Sequence, residues 1–160
     1  LMGVETSAGV AAKDFNLRFA WLKSSYPPVQ QPYRVFIQIW DKPLMSVSGK
    51  SLISKVIKLC GGENIFEDFS GLTLNPDIET ILQHDPQVII TSGMPVSTQQ
   101  WLNRWKQWGS LDAVRKQRLY SVNPDLLVRH TPRLLDGIEM VCSFLHDNEQ
   151  QQALPTDPEK

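Results

Sequence analysis

The sequence predicts an α/β fold, a mostly parallel sheet sandwiched by helices and preceded by one long helix. Three observations carry that prediction. Short β-rich runs alternate with helix-patterned segments of about 8–15 residues, as in successive βαβ units. One of the runs, Gln87-Val88-Ile89-Ile90-Thr91, is apolar without alternation, the pattern of a strand buried on both faces. The N-terminal segment carries a helical apolar stripe although no strand precedes it.

That stripe comprises Ala8, Ala12, Phe15, Phe19 and Leu22, at spacings of 4, 3, 4 and 3 within a helix expected over Val4–Ser25. Tyr26-Pro27-Pro28 ends it, since proline offers no N–H to the preceding turn. Arg34 to Trp40 reads as the first strand and Asp41-Lys42-Pro43 as its break. A helix over Lys50–Leu59 stops at Gly61-Gly62, and Asn64-Ile65-Phe66 is a candidate short strand. Pro76–His84 is a helix with Asn75 or Asp77 as its cap. After the apolar strand come a helix over Ser97–Trp108, a short one over Leu111–Arg115 and a strand over Arg118–Val122. Residues 125–133 read as a loop, Pro132–His146 as the last helix and the polar segment from Asp147 onward as a disordered tail.

Composition excludes several classes. The chain has 160 residues, 41% hydrophobic and 21% charged, enough for a packed core. With 16 basic and 17 acidic residues it has neither the basic face of a nucleic-acid binder nor a polybasic membrane anchor. No apolar run approaches the length of a membrane span, and no signal peptide is visible at Leu1-Met2-Gly3. Cys60 and Cys142 form no CxxC and have no histidine at zinc spacing, so no metal site is expected. They read either as two buried thiols or as a disulfide formed in an oxidising compartment.

No catalytic constellation is present: GxGxxG, Walker A, HExxH and GxSxG are all missing. His84, His130 and His146 are scattered and read as surface or cap residues. Trp101, Trp105 and Trp108 follow helical spacing and read first as core packing. Trp40 is different, because it ends a strand, and ligands of open parallel sheets gather at strand C-termini. Core filler and ligand contact are equally good readings there. Asp125 and Arg129 follow another strand and stand open between a capping loop with a surface ion pair and contacts to a polar ligand.

Several stretches together resemble one family. Arg34-Val35-Phe36-Ile37-Gln38-Ile39-Trp40, Pro43-Leu44, Gly49-Lys50 and Leu59-Cys60-Gly61-Gly62-Glu63-Asn64-Ile65-Phe66 are similar to the periplasmic cobalamin-binding proteins of ABC importers. So are Glu79-Thr80-Ile81-Leu82, Asp85-Pro86-Gln87-Val88-Ile89-Ile90 and Arg129-His130-Thr131-Pro132-Arg133. The resemblance spans roughly residues 4–146. It implies two lobes joined by a helical spine, of which this chain holds the spine (1–28) and the Rossmann-like C-terminal lobe (29–147), with a tail (148–160) and no N-terminal lobe.

It further implies a substrate-binding component in the periplasm, not an enzyme and without a cofactor, that captures cobalamin and delivers it to permease subunits. Trp40, Asp125 and Arg129 are then ligand contacts, Glu79 the permease-docking acid and Cys60–Cys142 a disulfide. One departure weakens the corrin assignment: Leu72-Thr73-Leu74 stands where a studied member of the family has a tryptophan. The same fold also serves iron-siderophore and haem binders; haem would draw on Tyr120 or His130, an anionic siderophore on Arg129 and Arg133. From other classes, a metal chelatase or nitrogenase-like lobe would need clustered Cys or His, and a non-transport interaction domain would self-associate through the long helix.

Overall fold

The computed structural model describes residues 2–27, 29–127 and 132–152, with 2–8, 10, 11 and 147–152 as backbone only. Its centre is a four-stranded, all-parallel sheet of β1 (Tyr33–Gln38), β3 (Gly62–Asn64), β5 (Val88–Ser92) and β6 (Leu119–Val122), in the order β3-β1-β5-β6. Alternate side chains of the central strands enter two separate cores, as the two-residue period of a strand requires. Val35, Ile37, Val88 and Ile90 face one side and pack with α2 (Leu52–Leu59), α7 (Arg133–Gln152) and Leu22 of α1 (Met2–Ser25). Phe36 and Ile89 face the other and pack with α3 (Ile78–His84), α4 (Pro95–Trp105) and α5 (Asp112–Arg115). Both faces are covered, which explains the unbroken apolar run of β5.

The α/β class is therefore as expected, and the differences lie at element ends. The first strand stops at Gln38 instead of Trp40, because the chain turns back there: Ile39 N–H donates to Met45 O, and Met45 N–H to Trp40 O. The short strand is Gly62–Asn64 rather than Asn64–Phe66, set by pairing with Tyr33–Val35. Asn64 then ends it by accepting the Phe66 N–H on its own side chain. The fourth helix begins at Pro95, where a proline needs no partner for its missing N–H, and ends at Trp105. Three elements were not foreseen: the antiparallel pair β2 (Ser46–Val47) and β4 (Thr73–Leu74), and a helical turn α6 (Pro124–Leu127) inside the expected loop. The last helix runs six residues past His146 to Gln152, since nothing from Asp147 to Gln152 breaks a helix; residues 153–160 lie outside the described ones.

Asp77, not Asn75, caps α3, its carboxylate accepting the Thr80 N–H at 2.7 Å. The Thr80 hydroxyl and backbone N–H hold the Asp77 carboxyl below the usual carboxylate range. A lowered pKa means that the cap favours the fold above the unfolded carboxyl's pKa and is lost as pH falls through the folded value.

The disulfide reading is the one the structure adopts. Cys60, capping α2, is bonded to Cys142 on α7, with a Cα–Cα distance of 4.7 Å. Long helix α1 docks through Leu22, with Phe15 and Phe19 at the margin of the core and Arg18 paired with Asp136 and Glu139 of α7. The Asp136 hydrogen bond is the main cause that raises the Arg18 pKa, but the pair is exposed and contributes little. Leu17 and Trp21, one turn apart, remain 72% and 55% exposed.

Candidate ligand-binding site

In a parallel sheet all strand C-termini lie on one edge. After β1 the chain leaves for α2 on one face, and after β5 it leaves for α4 on the other. Adjacent strands whose connections depart to opposite faces leave a crevice between their ends, where open α/β sheets bind ligands. Trp40 follows β1 and Met94 follows β5, so these two residues flank the crevice.

Trp40 is 54% exposed, a large apolar surface left open to water. Its indole N–H donates to Lys42 O at 3.2 Å, and its ring meets the edge of buried Trp101 at a centroid distance of 6.5 Å and 67°. The ring is thus tethered yet uncovered, and it is not core filler. Asp125 lies in the first turn of α6 after β6, exposed, its N–H donating to Asn123 Oδ1. It stands on the same edge as Trp40, with β5 between them. Arg129, with His130 and Thr131, lies outside the described residues.

Sequence reasoning missed Met94 and Val96, which are 70% and 80% exposed. Met94 is the N-cap residue of α4 and makes no side-chain capping bond. Gly93-Met94-Pro95 was visible only as a turn after a buried strand, and the strand order is what places Met94 beside the crevice. Leu72, just before β4, is 58% exposed.

The tryptophans of α4 behave as core packing, with one addition. Trp101 and Trp105 are buried and, with Trp108, line a cavity of about 330 Å³. Leu44, Pro76, Asp77 and Ile78 form another wall, and Asp41 and Arg104, joined as an ion pair, stand in its lining. The cavity joins the first turn of α3 to the loop after Trp40. Glu79, in that first turn, is exposed. Among the described residues no group of three His, Cys, Asp or Glu side chains could hold a metal, and no helix is long and apolar enough to cross a membrane.

Residues 2–126 match the family model described as "Periplasmic binding protein". The chain belongs to that family. It is a family of binding proteins and not of enzymes. Among curated members, the vitamin B12-binding protein of Vibrio cholerae is 37% identical over 142 residues, covering 88% of this chain and 50% of that protein. The vitamin B12-binding protein of Vibrio parahaemolyticus is 35% identical over 143 residues, again over 50% of its length. The chain spans about half the length of the curated relatives it matches. In structure it is similar to the periplasmic vitamin B12 binding protein BtuF of Vibrio cholerae, with a TM-score of 0.78 and 35% identity, over 89% of this chain and 55% of that one. The periplasmic haem-binding protein BhuT shares the fold at a TM-score of 0.74 and 19% identity.

Proposed function

We propose that this chain forms the connecting helix (1–28) and second lobe (29–147) of a two-lobed protein that binds a corrinoid of the vitamin B12 class in the periplasm and hands it to an ABC permease. The observation that carries the reading is Trp40, an indole tethered but open at the switch-point crevice, in a chain whose Vibrio relatives are named for vitamin B12. A corrin is broad, roughly planar and largely apolar on its faces, with polar groups around its rim. Aromatic and thioether surfaces such as Trp40 and Met94 suit the face, and polar residues such as Asp125 and Arg129 suit the rim. Tyr120, the described candidate for haem, is stacked on Phe144 at 4.4 Å instead.

One lobe covers one face of such a ligand. Forfeiting on the order of 100 Å² of apolar contact costs about 2.5 kcal/mol, near a 100-fold loss of affinity. Calorimetry with cobalamin is therefore expected to give tight binding by a polypeptide carrying both lobes and binding at least about 100-fold weaker by the 160-residue chain. A ferric siderophore and haem serve as controls. A two-lobed protein that ignored cobalamin and bound a siderophore would leave the fold standing and remove the corrinoid.

Glu79 is the proposed docking residue. Its helix is already capped by Asp77, so the Glu79 carboxylate is not needed for that end and is free to meet a cation on a permease. A helix-dipole role alone would be minor. In the two-lobed protein Glu79→Lys is expected to reduce cobalamin uptake in transporting vesicles while calorimetric affinity stays unchanged. Uptake at the original rate would end the docking role.

A further inference from the structure

We infer that α4 presets the orientation of Trp40 through two contacts, making Gln38 and Trp101 positioning residues for the ligand platform; this rests on the corrinoid reading above. Gln38, the last residue of β1, is 1% exposed. An amide buried that deeply is unfavourable unless both ends are bonded. Its Nε2 donates to Trp40 O at 3.2 Å, and its Oε1 accepts the indole N–H of Trp105 at 2.8 Å. The amide therefore joins the α4 core to the backbone of the exposed indole, beside the bridge from Met45 N–H.

One turn earlier on the same helix, Trp101 supplies the second contact, its ring edge-on to that of Trp40. Trp101 is itself confined: a Cβ added at Gly93 would lie 2.6 Å from its indole, so the turn after β5 closes directly onto it. Arg104, still on α4, pairs with Asp41, the residue after Trp40. A single helix thus holds the carbonyl, the ring and the following residue of Trp40. An indole fixed before the ligand arrives loses less freedom on binding, which is how preorganisation raises affinity.

The test separates the platform from its support. The Trp40–Trp101 pair should give an exciton couplet in far-ultraviolet circular dichroism, absent in Trp40→Phe. Gln38→Met keeps all 5 tryptophans and nearly the same volume, so a weakened couplet reports movement of Trp40 relative to Trp101. Gln38→Met/Trp105→Phe removes donor and acceptor together and orphans neither, which keeps the fold if the single variant fails. In the two-lobed protein both variants are expected to raise the cobalamin Kd about 10-fold, with no further rise when combined with Trp40→Ala. An unchanged couplet and Kd in these variants, with Trp40→Ala still weakening binding, would overturn the inference. Trp40→Ala leaving cobalamin affinity intact would instead remove Trp40 from the ligand reading, and the couplet would still decide whether Gln38 positions it.

Discussion

Replacing Cys60 and Cys142 by alanine is expected to lower the unfolding free energy by about 4.5 kcal/mol, the entropy returned to a loop closed over a separation of 82 residues. Domains of this size are stable by only about 5–15 kcal/mol, so the loss is a large share of the whole. The site amplifies it. Both sulfurs lie in the larger core, at 1% and 2% exposure, and join the end of α2 to the middle of α7. The His146 ring meets Cys60 O at 3.1 Å beside the bond, so the seam also carries a polar contact. Urea unfolding of the oxidised protein against the double alanine variant measures the difference. A loss below about 1 kcal/mol would mean that the unfolded chain is already compact enough for the cross-link to remove little. Neither Trp40 nor Gln38 belongs to this seam, so the circular dichroism couplet should survive in whatever fraction remains folded.

Asn64→Leu is expected to cost about 3 kcal/mol, the second largest effect. Asn64 is 2% exposed. Its Nδ2 donates to Val47 O and Ser54 Oγ, both at 2.7 Å, and its Oδ1 accepts the Phe66 N–H at 2.9 Å. Leucine matches the volume and none of the bonds, and buried backbone groups left unpaired cost about 1–3 kcal/mol each before relaxation. The residue ties β2 and α2 to the end of β3, and it aims Phe66 at Phe36, where the rings meet edge-on at 6.2 Å. Thermal and urea unfolding should both register the change. A cost within 0.5 kcal/mol, rough scale for a neutral surface substitution, would show that water or a repacked partner replaces all three bonds.

Much of the fold was legible because its signals are local. The apolar run of β5, the prolines after α1 and the paired glycines after α2 each act within a few residues. What escaped was short or paired at a distance. Ser46–Val47 and Thr73–Leu74 are two residues each and acquire their extended state from each other, in the distant pairs Ser46↔Leu74 and Val47↔Thr73. The end of β1 was misplaced because Ile39 and Trp40 have strand propensity, while Met45 captures their backbone bonds. The site was half legible for the same reason. Trp40 was visible as an aromatic at a strand end; Met94, equally well placed, carried no residue-type signal.

By itself the sequence determined the α/β class, the stops of the first helices at the prolines after α1 and the glycines after α2, the lack of catalytic and metal-ligating motifs and the family likeness. These depend on residue type and on spacing within one element. Only the tertiary structure decided the strand order β3-β1-β5-β6, and with it that the crevice lies between Trp40 and Met94. The Cys60–Cys142 disulfide was implied by the family likeness and is present in the structure, whereas the structure alone joined Trp105 to Gln38 across 67 residues. The reason is physical. Strand order and buried polar pairing are settled by which surfaces exclude water together, and residues far apart in the chain carry no local record of that competition.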